Sequence, residues 1–554
     1  MANIAQLLAA QLATPERVLY RQFGDGAWRD YTSAELTAAA ARWQAAFRRE
    51  GFAPGDRIAI GLRNGIAWVA LDQAALGSGL VVVPLYADDR PESQAYCATA
   101  AGARLVVVET DRMAAGLTGA GLPAGAILCA RAENGGSVRT VESFLPPADR
   151  EFSVVPAADD ALATICFTSG TAGRPKGVML SHGNILANVA GCRATGMARP
   201  DDVFLSFLPL SHMFERTGGY YLPLALGAKV AFARGIQQLP DDLASQRPTA
   251  MFAVPRVFER FAARIRDGVA DSQWKRRLLE RCAAAGARVE LGGATIVDRV
   301  TVPLLRAIVA RPVLARLGGR LRLAVVGGAA MDPEISRLFI GLGLPVLQGY
   351  GMTEASPVVS VNRLDDNVPE SVGQPLDNVE VRLGEAGELL VRGPNVMLGY
   401  WDDPAATARA LARDRWLHTG DVAEIVRGHV AIRGRLKDIL VLSNGEKLPP
   451  QDAELAILHD GVFEQLMLVG EGRPFLTLVA VAKNAGEKEL VKRANERLAH
   501  FPRYVRVRRA IVSPEPWTVE NGLLTPTLKV KRNDVLKRFA AEIDEVYASG
   551  KSVD

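Results

Sequence analysis

The chain has 554 residues, too many for one hydrophobic core, so two or more domains are expected. Apolar residues make up 49% and charged residues 23%, the balance of an ordinary globular protein in water. A formal net charge of +4 is small for this length and implies no nucleic-acid partner. The five cysteines are odd in number, scattered, and include no C-x-x-C pair. That pattern fits reduced thiols in a cytoplasmic protein, not a disulfide framework or a zinc site.

The first 18 residues lack a basic start and a cleavage site, so they are no secretory signal, and their apolar spacing predicts a short amphipathic helix. A helix is predicted over 31–49, capped by Thr32 or Ser33 with Glu35 near its start. The most apolar long stretch, 69–87, is broken by Asp72, Gln73 and two glycines, so no membrane-spanning helix is expected. Helix 67–77, strand 80–85, helix 92–101 and strand 104–109 alternate as parallel βαβ units do.

The apolar run 161–167 then leads into Thr168-Ser-Gly-Thr-Ala-Gly-Arg-Pro-Lys-Gly177. A strand opening into so much Gly and Thr builds a loop whose N–H groups and hydroxyls can wrap phosphate oxygens, and Lys176 adds a point charge. It is not a Walker A loop, because Pro175 precedes the lysine and Gly177 follows it. A short S-G-T-x-G alone would read as a turn; the ten-residue string is far more specific. Cys166, in the apolar strand before it, reads as core packing. Here the sequence resembles the adenylate-forming superfamily of acyl-CoA synthetases, peptide-synthetase adenylation domains and luciferases.

The resemblance implies an α/β fold. Its large N-terminal domain, 1–435, would hold two αβ-layered sheets and a small β-barrel. A smaller, mobile α+β lid, 436–554, would carry the catalytic lysine. It also implies that Thr168, Ser169, Gly170, Thr171, Gly173 and Lys176 hold the β- and γ-phosphates of ATP. Ala172 stands where many relatives have Ser or Thr, which removes one phosphate hydroxyl.

Ser181 to Asn184 opens a helix expected to reach 196, and strand 202–208 leads to Pro-Leu-Ser-His212-Met-Phe-Glu-Arg. On local grounds His212 is either a buried, hydrogen-bonded side chain or a functional one; the resemblance implies a gate of the acyl pocket. A helical tract over 254–317 is rich in Ala, Arg and Leu and resembles the insertion of long-chain fatty acyl-CoA synthetases. Its charged face is ordinarily just solvated; a basic face against anionic lipid is the sharper reading.

Strand 321–326 ends in Gly327, Gly328 and Ala329, and strand 344–347 ends in Gln348-Gly349-Tyr350-Gly351-Met352-Thr353-Glu354. Glycines at carboxyl ends of strands let a flat ligand approach the backbone. Tyr350 offers an aromatic face for adenine, Thr353 a hydroxyl for the α-phosphate, and Glu354 a hard oxygen ligand for Mg²⁺. The resemblance adds Thr171 beside the metal, and Gly328 and Gly349 along the acyl pocket. Asp421 reads as a residue of a Thr-Gly turn, where it could merely cap the turn. The resemblance makes it a ribose ligand, with Arg435 as a second ribose and phosphate contact. It also makes Lys437 the hinge and places Asn444, Gly445 and Lys447 beside a coenzyme A tunnel. The turn 426–429 lacks the more usual Asp-Gly, a loop variation. Near the end, Thr527-Leu528-Lys529 replaces the family's frequent Ser-Gly-Lys, as in long-chain synthetases. Lys529 matches the catalytic lysine, and Lys531 is the next candidate.

The implied reaction joins a fatty acid to ATP, giving acyl-adenylate and pyrophosphate, then passes the acyl group to coenzyme A. Rival readings are a ligase that loads an acyl carrier protein, and a non-catalytic acyl- or nucleotide-binding relative. Peripheral contact with the inner face of a membrane stays open.

Overall fold

The structure, a computed structural model, describes residues 3–132, 138–147, 150–168, 175–525 and 529–549. Among the described residues two large sheets dominate. The first has eight strands, in the order Gly399–Tyr400, Lys176–Ser181, Leu162–Thr168, Val81–Pro84, Arg57–Gly61, Ala103–Thr110, Ile127–Arg131 and Arg139–Thr140. Its central strands are parallel, as the alternating helices and apolar runs predict. Helix α1 (Ile66–Gly77) packs inside; Asp72 and Gln73, which interrupt the apolar stretch in the sequence, are fully buried. Strands β1 (Leu162–Thr168) and β2 (Lys176–Ser181) pair antiparallel, bringing Thr168 opposite Lys176. Helix α2 (His182–Ala194) follows under a Ser181/Asn184 capping box, and Thr32/Glu35 form another on the helix Ser33–Arg49. Each box satisfies two orphan N–H groups, and losing such a cap costs ~1 kcal/mol.

The second sheet has nine strands. Its central run is Val203–Ser206, β3 (Ala250–Ala253), β4 (Leu323–Val326) and β5 (Val346–Gly351), joined in parallel. Between β3 and β4 the expected single helical tract is a series: α3 (Pro255–Asp267), α4 (Gln273–Glu290), α5 (Ile296–Leu305), a wide π turn and a short final helix. Breaks fall at Gly268 and at Gly292-Gly293, where helix propensity is lowest. Helix α6 (Pro333–Leu342) crosses α4 with the backbones in contact at Gly286 and Gly341, where an added Cβ would collide with the partner helix's backbone. Strand alternation divides β3 and β4 cleanly. Met251, Ala253, Ala324 and Val326 face the helical layer, while Phe252, Leu323 and Val325 face the other side.

The region expected as a small β-barrel is a four-stranded antiparallel sheet containing β6 (Leu417–Val426) and β7 (His429–Arg435). Its last strand continues through Val430, whose carbonyl accepts from Val372 N–H and whose N–H donates to Gly373 O. After a single 3₁₀ turn at Leu436–Asp438, a smaller α+β part holds a three-stranded sheet with its own apolar core. There Val507–Val512 runs parallel to Leu476–Ala482 and buries Val507 and Ala510.

One buried polar network ties these layers together. Arg216 donates to Asp72 at 2.5 Å and to Thr164 Oγ1 at 2.9 Å, and both Arg216 and Asp72 are fully buried. The hydroxyls of Tyr220 and Tyr221 also donate to Asp72, at 2.9 and 3.0 Å. Thr164 passes its own hydrogen to Val82 O at 2.6 Å. Helix α1, the first sheet and the segment after His212 are thereby held by one charged pair.

Candidate active site

A cavity of about 1030 Å³ opens where β4 and β5 end. Carboxyl ends of parallel strands are where α/β sheets present ligand sites, because the chain turns away there and leaves backbone exposed. Gly327, Gly328, Gly349, Tyr350, Gly351, Met352, Thr353 and Glu354 all line it, with Thr168 and Lys176 from the β1–β2 pair, Arg435 and Lys437 from the far side, and Lys529 from the C-terminal part. Residues 169–174 lie outside the described residues, so Ser169, Gly170, Thr171 and Gly173 receive no structural account.

Two local expectations change. Tyr350 was expected beyond its strand, yet β5 runs through Gly351, because Val358–Val361 pairs with it. Asp421 lies within β6 and not in a turn; its partner β7 carries the strand past Gly420, whose φ of 72° is absorbed by the lack of a side chain. Asp421 does not line the cavity. It stands behind, accepting from Tyr350 Oη at 2.5 Å and pairing in a salt bridge with Arg435 Nε at 3.0 Å, and so holds both side chains. Gln348 is likewise turned inward, donating to Pro369 O, and Ala329 is exposed outside the cavity. Asn444 and Gly445 are exposed in an Asx-type turn, with Glu446 N–H donating to Asn444 Oδ1 at 3.1 Å, away from the cavity. The side chain of Lys447 lies outside the described residues.

Electrostatics at the centre are governed by burial among cations. Lys529 presents an open face to the cavity while protein surrounds the rest of it. That burial, with the positive Arg435 adding and Asp421 opposing, draws its ammonium down to about 8. Lys531 does not line the cavity; its N–H donates to Leu523 O at the start of the helix Arg532–Arg538. His212 accepts from Phe214 N–H at Nδ1, 3.2 Å, which leaves Nε2 as the protonated nitrogen of a neutral ring. Burial, then the Lys529 charge, pushes its pKa down to about 4, so it stays neutral at ordinary pH. Burial raises the Glu354 carboxyl, which accepts from Tyr400 Oη at 2.9 Å; the Tyr400 ring also lies 5.0 Å from Lys176 Nζ.

The cavity has an apolar extension that the motifs do not announce. Leu323 and Val325 share one face of β4 and Gly327 follows at its end, so this wall spans four residue steps, about 13 Å at 3.3 Å each. Phe252 and Val361 line it too, as do Cys192 on α2 and Thr195, Met197 and Ala198 just after that helix. Arg322, just before β4, donates to Met197 O at 3.0 Å and holds that segment. Only the period-2 pattern of β4 hinted at this wall; the segment after α2 lies 125 residues away.

The C-terminal part rests on the sheet above α6. His459 Nε2 meets Asp332 at 2.9 Å, and Asp332 also caps α6 by accepting from Glu334 N–H at 2.8 Å. Its hydrogen bond to Asp332 raises the His459 pKa.

Residues 8–401 match the AMP-binding enzyme family, and residues 437–551 match the AMP-binding enzyme C-terminal domain. The chain belongs to this family. It is 30% identical to a long-chain-fatty-acid–CoA ligase of Mycobacterium bovis, over 96% of this chain and 95% of that one. It is 32% identical to long-chain-fatty-acid–CoA ligase 1 of Homo sapiens, over 91% and 80%. Its fold superposes on ATP-bound MatB from Rhodopseudomonas palustris with a TM-score of 0.74 at 23% identity, covering 97% and 99% of the two chains.

Proposed function

We propose that the protein is a long-chain fatty acid–CoA ligase that works in two half-reactions within this cavity. The observation that carries the reading is one cleft whose lining combines apolar side chains with the glycines after β4 and at the end of β5 and with Lys176, Arg435 and Lys529. In the first half-reaction the fatty carboxylate attacks the α-phosphorus of ATP, and the bond to the bridging oxygen of pyrophosphate breaks. Positioning and charge neutralisation dominate such a step. Lys529 stabilises the charge growing between carboxylate and α-phosphate, Lys176 and Thr168 hold the outer phosphates, and Tyr350 offers its ring to adenine. Arg435 meets the ribose, positioned from behind by its salt bridge to Asp421. Glu354 lines the cavity with its carboxylate beside the Tyr400 hydroxyl. That suits Mg²⁺, which takes one or two carboxylates, substrate phosphates and waters, and neutralises phosphate charge when bound.

In the second half-reaction the coenzyme A thiol attacks the acyl carbonyl and AMP leaves with the electron pair. The part after residue 435 is the lid, and the 3₁₀ turn containing Lys437 is its hinge. A swing there withdraws Lys529 and carries Asn444, Gly445 and Lys447 towards the cavity.

The test is pyrophosphate release over a ladder of fatty acids, with and without coenzyme A. Multiple turnovers only with coenzyme A, peaking at long chains, are expected. Turnover restored only by an acyl carrier protein would replace this reading with the carrier-loading one, and no release with any acid would leave a binding protein. A companion variant checks the groove: Ala198→Trp adds bulk to its lining. Overpacking costs ~1–3 kcal/mol, so kcat/KM for the longest acids should fall roughly 5- to 150-fold while short acids keep theirs. An unchanged profile would place the chain elsewhere.

A further inference from the structure

The layer of helices outside the nine-stranded sheet carries a feature that acyl activation does not use. On α5 and the π turn after it, Ile296, Val300, Leu304 and Ile308 recur every fourth residue and are 83%, 72%, 65% and 57% exposed. Val297 beside them is 62% exposed. Four-residue spacing puts these side chains in one row on a helix. The opposite face of α5 is fully engaged: Val302 and Leu305 are buried, and Asp298 is held by Arg288 at 2.6 Å. So the helix is anchored by one side while its outer row meets water. A row of branched apolar side chains this long on a free surface marks a contact.

Charge identifies what covers it. Residues 255–320 contain 14 Lys and Arg against six Asp and Glu, a surplus of eight, whereas the whole chain has a surplus of four. Between residues 296 and 320 there are five arginines and a single acid, the buried Asp298. Arg288 and Arg306 are paired, with Asp298 and Glu290. Exposed Arg277, Arg281, Arg299 and Arg311 form no salt bridge among the described residues. An exposed apolar row in a tract with this surplus of exposed, unpaired guanidinium groups complements an anionic phospholipid surface, where acyl chains receive the row and headgroups meet the arginines. No described helix is long and apolar enough to cross a membrane, so contact would be from one side. The row lies on the helical side of β3 and β4, and the acyl groove on the other, so a docked enzyme keeps its cleft free.

We propose that α5 and the turn after it are a peripheral docking surface for membranes rich in anionic phospholipid. The inference does not depend on the acyl reading. Full-length protein is sedimented with phosphatidylglycerol/phosphatidylcholine vesicles and with phosphatidylcholine alone. Binding to the anionic vesicles only, weakened severalfold as salt rises, is expected. The triple variant Val300→Ser/Leu304→Ser/Ile308→Ser should lose about tenfold or more of that binding, from the apolar area withheld. Because all three side chains are exposed, its melting temperature and its turnover on dispersed substrate should match the parent. No vesicle binding by the parent, or equal binding by the triple variant, overturns the proposal. So does sedimentation velocity showing a dimer that the triple variant abolishes and vesicles do not compete with, since a second copy then covers the row.

Discussion

Lys529→Ala should lower the rate of pyrophosphate release by about 10²–10⁴, the range for removing one preorganised electrostatic group. The lysine lines the cavity beside Arg435, and burial with that neighbouring charge draws its ammonium down to about 8. The same variant should convert added acyl-adenylate and coenzyme A to acyl-CoA at nearly the parent rate, since the second half-reaction does not use this group. Equal losses in both halves would remove Lys529 from the adenylation step; an Ala variant of Lys531 serves as the neighbouring control. pH gives an independent readout. The active form is the ammonium, so kcat/KM for the first half-reaction should fall as pH rises through about 8, and this limb should vanish in Lys529→Ala. A limb that persists belongs to another group.

Arg216→Met should be the most destabilising single substitution away from the cavity. It leaves Asp72 fully buried with its charge opposed only by tyrosine hydroxyls, and breaking a buried pair in this way costs ~3–5 kcal/mol. Against a total stability of ~5–15 kcal/mol that is a large share, and the unfolding midpoint should drop by several degrees. The paired replacement Arg216→Met/Asp72→Leu removes both charges and should recover most of the loss. If the double variant is no more stable than Arg216→Met, the damage comes from packing and not from the orphaned carboxylate.

Much of the cavity was legible from local signals. Glycines after short apolar strands announced the mouth, since only a backbone free of side chains admits a flat ligand, and Gly327, Gly349 and Gly351 line it. Elsewhere pairing overrode local propensity. Tyr350 and Asp421 carry turn-like neighbours, but antiparallel partners hold them in strands, and a single sequence does not display its partners. Asp72 looked like an interruption in an apolar stretch; its meaning lies in Arg216, 144 residues away. The same holds for the groove lining at Met197 and Ala198, which sit in a loop with no motif. Near the C-terminus the sequence offered two lysines two residues apart, and the structure separates them: Lys529 lines the cavity and Lys531 does not.

The crossing of α4 and α6 at Gly286 and Gly341 has a converse to the usual vulnerability of a core. Most buried contacts fail when atoms are taken away; this one fails when a methyl is added, because nothing but backbone lies between the helices. It has no side chain to rotate and hence no slack. The outer helices are therefore mounted rigidly on the sheet, and any surface that binds α5 sets the attitude of the whole enzyme: which way the cleft points, and how far its mouth stands from that surface, become fixed angles and distances of the fold.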